Sequence, residues 1–281
     1  LGGVCGDLTG FVAATYLRGI DFVQIPTTLL AQADSSIGGK TGVDFDSYKN
    51  MVGAFKMPRL VYMNLSVLKT LEERQFYSGF AEVMKSALIK DAPFYEWLIE
   101  NMYEICERDL NTLEEMVIRT CSIKKMVVEK DPTEQGDRAL LNLGHTIGHA
   151  IEKYKNFELY HGECVALGTV AAAYISWKKE MLSMEEFYEI RDMFVPFYLP
   201  ISVDDIDPQE ILKLTKSDKK MEAGTIKFIL LKKIGKAVID RTVTDEEILA
   251  VLKKYGISGQ EVTLWGTGKP LREFLWSEEM A

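Results

Sequence analysis

From about Val67 onward, apolar residues recur at three- and four-residue spacing, and this pattern constrains the fold more than any other feature of the chain. The spacing places an apolar stripe along one side of a helix. It predicts helices over residues 71–100, 109–129, 140–154, 162–180 and 184–195. Two departures are expected near the end: a β-hairpin over Thr225–Ile239 turning at Gly235, and a short helix over Asp245–Tyr255 with Thr244 as N-cap.

The first seventy residues have a different pattern, typical of an α/β region. A glycine-rich turn leads to a predicted helix with Asp7 as N-cap, and short apolar runs predict strands. A long polar and glycine-rich stretch is expected to be a functional loop. The ranges are Leu8–Leu17 for the helix, Phe22–Ile25 and Leu60–Asn64 for the strands, and Thr27–Lys49 for the loop. An α/β domain followed by a mostly helical one, with a boundary near residue 70, favours a ligand site in the cleft between them.

Composition excludes some classes of function. The net charge of −9 over 281 residues argues against general nucleic-acid binding, which needs a basic surface. No signal peptide and no apolar run long enough to span a membrane is visible, so no membrane partner is expected. The four cysteines are scattered without CxxC spacing, which is typical of reduced thiols in a cytoplasmic protein.

The three histidines of the chain all lie within seventeen residues. His145 and His149 are four apart on a predicted helix and therefore share a face, while His161 begins the next helix. Neutral imidazole is a good zinc ligand, so the cluster predicts a metal site. The alternative is that these are ordinary histidines of a helix end or of the core.

Glu82 lies on an apolar helical face in SGFAEVMKSAL. A carboxylate there is costly to bury unless it is paired or bound to a metal. A surface ion pair with Lys85, one turn on, is the competing interpretation. Spacing alone leaves both open.

The stretch ADSSIGGKTGVDFDSYKN combines paired glycines with lysine, a composition suited to binding a phosphate group. It lacks the P-loop frame, and a flexible surface loop with solvated lysines is the alternative. Cationic residues elsewhere are candidates for the same anion pocket: Arg18, Lys124, Arg138, Lys219 and Lys220.

Taken together, long motifs in the chain closely resemble the 3-dehydroquinate synthase family. They are GGVCGDLTGFVAATYLRG, QIPTTLLAQADSSIGGKTGVD, KNMVGAF, FAEVMK, RALLNLGHTIGHAIE and HGECVALG. The resemblance extends from Leu1 to about residue 257. It implies an α/β nucleotide-binding domain, incomplete here and ending at residue 70, and a mostly α-helical metal- and substrate-binding domain over residues 71–258.

The resemblance also implies roles for single residues. The metal, Zn²⁺ or Co²⁺, would be bound by Glu82, His145 and His161. NAD would lie against Gly3, Val4, Cys5, Gly6, Asp7, Thr27, Thr28, Asp34, Lys40, Lys49, Val67, Leu68, Lys69 and Thr70. The substrate phosphate and hydroxyls would be surrounded by Lys40, Asn50, Asn142, His149, Lys219 and Lys220, with Arg18 reaching across a homodimer interface. Lys124 and Arg138 would hold the substrate carboxylate, and Lys85 would lie near the metal.

The implied activity is that of a phosphate-eliminating carbon–oxygen lyase in the shikimate pathway of aromatic amino acid biosynthesis. The enzyme would convert 3-deoxy-D-arabino-heptulosonate 7-phosphate to 3-dehydroquinate and phosphate through transient NAD-dependent oxidation, elimination, re-reduction and intramolecular aldol closure. Alternatives are another sugar phosphate cyclase, such as 2-deoxy-scyllo-inosose synthase, and a glycerol-dehydrogenase-like oxidoreductase. A non-enzymatic helical module with a structural zinc is a further alternative.

Two features depart from the family pattern. The family has a segment ahead of Leu1 that contributes to NAD binding, and its absence from this sequence leads us to expect weak NAD binding and poor activity. The tail, over residues 259–281, looks foreign to the family; from Glu261 to Ala281 it resembles an internal stretch of GDP-L-fucose synthase, through Trp265, Gly266, Arg272 and Glu273. No catalytic role is assigned to it.

Overall fold

The computed structural model describes residues 3–45, 48–134, 136–217, 221–222 and 225–254. Within those ranges, no helix has the length and apolar character needed to cross a membrane. The predicted site residues Lys219 and Lys220 and the foreign-looking tail lie outside the described residues.

The N-terminal region combines short strands with helical segments. Its helix α1 spans Gly3–Thr15, and its strands are β1 Val23–Gln24, β2 Lys40–Phe45, β3 Tyr48–Phe55 and β4 Leu60–Val61. β1 and β4 pair in parallel, with Val23 opposite Leu60, whereas β2 and β3 form an antiparallel pair. A π-helix over Ala31–Ser35 and a 3₁₀ segment over Leu65–Thr70 complete the region.

The rest of the described chain is mostly helical. Its helices are α2 Glu73–Lys90, α3 Ala92–Glu100, α4 Met102–Cys106, α5 Leu110–Lys130, α6 His145–Tyr154, α7 His161–Lys178, α8 Met184–Asp192, α9 Pro208–Ser217 and α10 Asp245–Lys254. Between α9 and α10 lie the strand pairs β5 Met221–Glu222 with β6 Thr225–Ile226, and β7 Phe228–Lys233 with β8 Lys236–Asp240. The predicted fold class, an α/β region followed by a mostly helical one, is confirmed.

Helix α7 is the centre of the helical region and packs against α2 and α6. Glycines permit these close approaches. A Cβ on Gly162 would lie 1.8 Å from the carbonyl oxygen of Ser78 on α2, and one on Gly168 would lie 1.8 Å from that of Gly144. The helices that carry Glu82 and the histidines are therefore held at backbone contact, which brings their side chains to one place.

Several predicted elements are corrected by the structure. Asp7 is not an N-cap, because α1 already begins at Gly3. The stretch from Thr27 to Lys49 is not one loop, since it contains the π-helix and all of β2, and Lys49 lies within β3. The predicted helix over residues 140–154 begins only at His145, after a 3₁₀ segment over Asp137–Asn142. Helix α9 had no counterpart in the prediction.

The predictions for the C-terminal elements are confirmed in outline. The hairpin turns at Gly235, whose φ of +77° places it in the left-handed region. Thr244 caps α10: its Oγ1 accepts a hydrogen bond from the Glu247 amide at 3.3 Å, and the Glu247 carboxylate accepts one from the Thr244 amide at 2.8 Å. This reciprocal arrangement is a capping box.

Candidate metal centre and substrate site

The centre of the site is Glu82, on α2, whose side chain is only 1% exposed. Its Oε1 lies 3.6 Å from Nε2 of His145 and 3.3 Å from Nε2 of His161. Residues from α2, α6 and α7 thus point at one buried position. The structure brings together the three residues that the resemblance gave as metal ligands.

The Nδ1 atoms of His145 and His161 face other groups. Nδ1 of His145 lies 3.0 Å from the carbonyl oxygen of Leu143, which can only accept, so Nδ1 is the donor of this hydrogen bond; in the neutral ring the lone pair is then on Nε2. Nδ1 of His161 faces Oε2 of Glu152 at 3.7 Å. Two imidazoles with Nε2 directed at a buried carboxylate have the chemistry of a zinc site that leaves an open position.

His149 belongs to the same cluster. Its ring centroid lies 5.0 Å from that of His145 and 5.8 Å from that of His161. One ligand atom from each of the three histidines can be chosen such that all lie within 4.8 Å of one another. Geometry therefore permits two ligand sets, the three histidines or Glu82 with His145 and His161.

An ion-pair network extends from this centre into the N-terminal region. Lys85 pairs with Glu82, and both side chains are almost fully buried, at 2% and 1% exposure. A surface ion pair between Glu82 and Lys85 was one of the two interpretations; the pair is present, but it is buried. Lys85 Nζ also lies 3.9 Å from Oδ1 of Asp34, and Lys124 Nζ donates to the same oxygen at 2.7 Å.

The network shifts the ionisation of its members. Burial raises the pKa of the Glu82 carboxyl, but the opposing effect of Lys85 is strong enough to hold that pKa below its ordinary value. Asp34 behaves in the same way, with Lys124 and Lys85 lowering its pKa against burial. Burial lowers the pKa of Lys124, which Asp34 only partly offsets. The Glu82 carboxylate, which is buried, and the Asp34 carboxylate, which is partly buried, are therefore both held in their charged form.

Arg138 anchors the other side of the site. Its side chain is almost fully buried, and Nη2 donates to the carbonyl oxygen of Gly38 at 2.8 Å, while Nη1 donates to that of Pro132. A Cβ on Gly38 would lie 2.6 Å from Nη2, and its φ is +97°. In this structure, therefore, the first glycine of the Gly-Gly-Lys sequence leaves room for the Arg138 side chain.

The lysine that follows the glycines is also tied to the helical region. Lys40 forms an ion pair with Glu134, and the other carboxylate oxygen of Glu134 accepts from Nδ2 of Asn142 at 2.6 Å. Two of the predicted phosphate-binding residues are therefore joined through one carboxylate.

The predicted NAD-binding segments lie around the π-helix that carries Asp34. The start of α1 is close to it, since a Cβ on Gly3 would lie 3.3 Å from Oγ of Ser35. Thr28 Oγ1 accepts from the amide of Ala31, the first residue of the π-helix, at 3.2 Å. In the 3₁₀ segment over Leu65–Thr70, the side chain of Leu68 is fully buried, whereas Val67 is partly exposed and Lys69 and Thr70 are exposed.

Other predicted residues are not joined to this cluster by the described contacts. Arg18 is exposed in the turn after α1, consistent with a residue that would act on another subunit. Lys49 and Asn50 lie on β3 and are placed by their backbone only. Val4, with 81% exposure, and Cys5 project outward from the first turn of α1.

Four functional contacts were missed from the sequence: those of Glu134, Glu152, Arg108 and Glu163. Arg108 donates to the carbonyl oxygens of Leu68, Lys69 and Leu71 at 2.6–3.2 Å and so holds the end of the 3₁₀ segment. Glu152 had a detectable signal, because it follows His145 and His149 at the spacing of one helix face. The contacts of Arg108 with Leu71, of Glu163 with Arg74 and of Glu134 with Lys40 span 37, 89 and 94 positions, so local spacing gives no signal for them.

Comparison with known proteins shows which family the chain resembles. The 3-dehydroquinate synthase N-terminal family model matches residues 1–78, and the C-terminal model matches residues 79–221. The 3-dehydroquinate synthase of Acetivibrio thermocellus is 48% identical over 248 residues, which cover 88% of this chain and 69% of that protein. The enzyme of Nitrosomonas europaea is 47% identical over 252 residues, which cover 89% of this chain and 68% of that protein.

Solved structures with the same fold are more distant in sequence. The 2-epi-5-epi-valiolone synthase of Streptomyces hygroscopicus, with NAD⁺ and Zn²⁺ bound, superposes with a TM-score of 0.85 at 29% identity, over 89% of this chain and 70% of that one. A 2-deoxy-scyllo-inosose synthase with carbaglucose-6-phosphate, NAD⁺ and Co²⁺ superposes with a TM-score of 0.79 at 27% identity, over 90% of this chain and 72% of that one. A glycerol dehydrogenase of Schizosaccharomyces pombe, at 15% identity and a TM-score of 0.59 over 90% and 66%, shares the fold alone. Since the two family models match consecutive parts of the sequence, the chain belongs to the 3-dehydroquinate synthase family.

Proposed function

We propose that this protein is a 3-dehydroquinate synthase, which converts 3-deoxy-D-arabino-heptulosonate 7-phosphate to 3-dehydroquinate and phosphate. The observation that carries the proposal is the buried carboxylate of Glu82 between Nε2 of His145 and Nε2 of His161. The identity of 48% to a 3-dehydroquinate synthase supports the same activity. The reaction belongs to the shikimate pathway, and the enzyme is a phosphate-eliminating lyase.

We assign the metal to Glu82, His145 and His161 rather than to the three histidines. Glu82 supplies a negative charge that partly neutralises a divalent cation, and a buried carboxylate is otherwise costly. The lowered pKa of Glu82 keeps that charge in place. His149 is then left for the substrate phosphate, where its imidazole can hold or transfer a proton.

We assign NAD⁺ to the first turns of α1, the π-helix with Asp34 and the side chains around Leu65–Thr70. When bound, NAD⁺ would supply reversible hydride transfer, and Zn²⁺ or Co²⁺ would polarise the substrate oxygen that is oxidised. The bound NAD⁺ and metal of two related cyclases support this assignment.

The remaining residues bind and orient the substrate. Lys124 and Arg138 bind its carboxylate, and Lys124 exchanges its bond to Asp34 for one to the ligand. Lys40 and Asn142, which both bond to the Glu134 carboxylate, leave it to bind the phosphate. Asn50, Lys219 and Lys220 complete the pocket, Lys85 stays beside the metal, and Arg18 acts from the other subunit of a homodimer.

A second candidate is a sugar phosphate cyclase acting on a substrate without a carboxylate. The structural similarity to the valiolone and scyllo-inosose synthases favours it. Lys124 and Arg138 favour the first candidate, because two buried cations need an anionic partner, which a carboxylate supplies and a neutral hydroxyl does not. The domain division near residue 70, the homodimer and a cytoplasmic location are further parts of the proposal.

The test is phosphate release from 3-deoxy-D-arabino-heptulosonate 7-phosphate by the purified chain with NAD⁺ and Zn²⁺, with and without a chelator. We expect metal-dependent release and no accumulation of NADH at 340 nm. Glucose 6-phosphate as substrate is the matched control for the second candidate. Net NADH formation would indicate a dehydrogenase, and release from glucose 6-phosphate alone would indicate the second candidate.

A further inference from the structure

Glu152 is a buried carboxylate beside the metal centre. It follows His145 by seven residues and His149 by three on α6, so the three side chains share one face of that helix. Its side chain is 4% exposed, and its Oε2 lies 3.7 Å from Nδ1 of His161 on the neighbouring helix. The imidazole of His161 therefore stands between two carboxylates, with Glu82 at Nε2 and Glu152 at Nδ1.

The backbone of His161 is already fixed by other contacts. The amide of Tyr160 donates to Oε2 of Glu163 at 2.7 Å, and Arg74 donates to the same carboxylate at 2.6 and 2.8 Å. The amide of Gly162 donates to Oγ of Ser78 at 3.0 Å. The start of α7 is thus held on both sides of His161, so the rotation and the tautomer of its ring are set by the contacts of its side chain.

His145 shows how that freedom is removed at the other imidazole. There the carbonyl oxygen of Leu143 accepts from Nδ1, so the neutral ring has its lone pair on Nε2, the nitrogen that faces Glu82. A carboxylate that faces Nδ1 of His161 would do the same, since a metal-ligating imidazole donates its second N–H to such a partner. The difference is that the Leu143 carbonyl belongs to the backbone, whereas Glu152 can be replaced by mutation.

We propose that Glu152 is a positioning residue that holds the Nδ1–H tautomer and the ring orientation of His161, so that Nε2 is presented to the divalent metal. The proposal rests on the metal centre given under the proposed function. It assigns to Glu152 no contact with substrate, NAD⁺ or metal.

The test measures metal binding by the full chain, apart from its activity. Zn²⁺ affinity is determined by competition with a chromophoric chelator for wild type, Glu152→Gln and Glu152→Ala, and the visible spectrum of each Co²⁺ form is recorded. We expect Glu152→Gln to weaken Zn²⁺ binding by roughly 10–100-fold and Glu152→Ala by at least as much. We also expect the Co²⁺ bands to shift, because the orientation of one ligand changes.

Ile151→Val is the matched control. Ile151 is fully buried on the same helix, so the variant loses core packing while keeping Glu152. It should lower the melting temperature and leave both the Zn²⁺ affinity and the Co²⁺ spectrum unchanged. Glu152→Gln preserves side-chain volume and keeps the test available if Glu152→Ala does not fold.

Two results would overturn the proposal, and they differ from each other. If wild type binds Zn²⁺ and Glu152→Gln binds it within about twofold with an unchanged Co²⁺ spectrum, the inference about Glu152 is wrong and the metal centre stands. If wild type binds no Zn²⁺, the metal centre under the proposed function is itself wrong, and the inference falls with it.

Discussion

Arg138 Nη2 donates a hydrogen bond to the carbonyl oxygen of Gly38 at 2.8 Å, which joins two residues one hundred positions apart in the sequence. Through this bond the Gly-Gly-Lys segment of the N-terminal region is held against a buried cation of the helical region. The proposed carboxylate-binding residue and the proposed phosphate-binding segment therefore depend on each other's position.

Gly38→Ala should disturb this contact directly. The new Cβ would lie 2.6 Å from Arg138 Nη2, and a φ of +97° is unfavourable for alanine. We expect the free energy of unfolding to fall by about 1–3 kcal/mol. Because Arg138 must move, we also expect the KM for the heptulosonate substrate to rise about tenfold, the equivalent of about 1.4 kcal/mol of binding. Urea denaturation and steady-state phosphate release measure the two effects.

The matched control is Gly235→Ala in the β7–β8 turn. Gly235 also has a positive φ, of +77°, and packs closely on the backbone of Ala92. This variant should lose stability without a change in KM. An equal rise of KM in both variants would show that the Gly38 effect is general destabilisation.

Glu82→Gln should separate catalysis from folding. The substitution keeps the shape of the side chain but removes the charge that faces His145 and His161. We expect Zn²⁺ binding and phosphate release to fall by at least about 100-fold, more than for a residue outside the ligand set. Zn²⁺ content after dialysis and phosphate release are the measurements.

For comparison, Glu186→Gln alters an exposed capping box, where the Glu186 carboxylate accepts from the Ser183 amide at 2.8 Å. Because glutamine can keep this hydrogen bond, the variant should cost less than about 1 kcal/mol of stability and leave metal binding unchanged. If Glu82→Gln lowers the melting temperature while metal content and phosphate release stay at the wild-type level, the proposed catalytic centre is wrong.

The Asp34–Lys124 ion pair should make the stability of the fold depend on pH in the acidic range. The pKa of the Asp34 carboxyl lies below its ordinary value because Lys124 and Lys85 outweigh the effect of burial. A lowered folded-state pKa stabilises the fold above the unfolded-state pKa of about 3.9, and this stabilisation is lost as pH falls further. Asp34→Asn should therefore cost about 1.5–3 kcal/mol at pH 7, and the difference from wild type should shrink below about pH 4.

Urea denaturation of both proteins at pH 7, 5, 4 and 3.5 measures this difference. Asp21→Asn is the control, since its pair with Arg59, at 3.2 Å, is exposed on both sides, at 68% and 74%. Exposed pairs contribute little, so Asp21→Asn should follow the wild-type curve. Parallel curves for wild type and Asp34→Asn would contradict the prediction.

The cysteines should differ in reactivity. Burial raises the pKa of the Cys121 thiol to about 11. At pH 8 only about one molecule in a thousand then carries the Cys121 thiolate, which is the reactive form. We expect iodoacetamide to label the exposed Cys5 first, and the labelling of Cys121 to accelerate about tenfold per pH unit between pH 8 and pH 10. Peptide mass spectrometry gives the rates.

Protein unfolded in guanidinium chloride is the reference for that experiment, because all four cysteines should then react at similar rates. A Cys121 that reacts at pH 8 in the folded protein as fast as in the unfolded one would show that the thiol is not held at a raised pKa.

The sequence was sufficient for features that depend on neighbours along the chain. Helical spacing predicted α2, α5, α7 and α8, and it placed His145 and His149 on one face, because a helix repeats every 3.6 residues whatever it packs against. The clustering of all three histidines within seventeen residues was also visible, because it depends only on their positions along the chain. The π-helix, β2 and the start of β3 between Thr27 and Lys49 were missed, since their glycine-rich, polar sequence is typical of a loop.

Only the tertiary structure decided how the site is completed. Whether Glu82 and Lys85 form a surface pair or a buried one depends on what covers α2, and the sequence left both open. The contacts of Lys40 with Glu134 and of His161 with Glu152 join different elements, and local spacing carries no information about such contacts. The sequence determined which chemical groups this protein has for its reaction; the packing of α7 against α2 and α6 determined that Glu82, His145 and His161 meet, because a side chain's burial and partners are set by the elements packed around it.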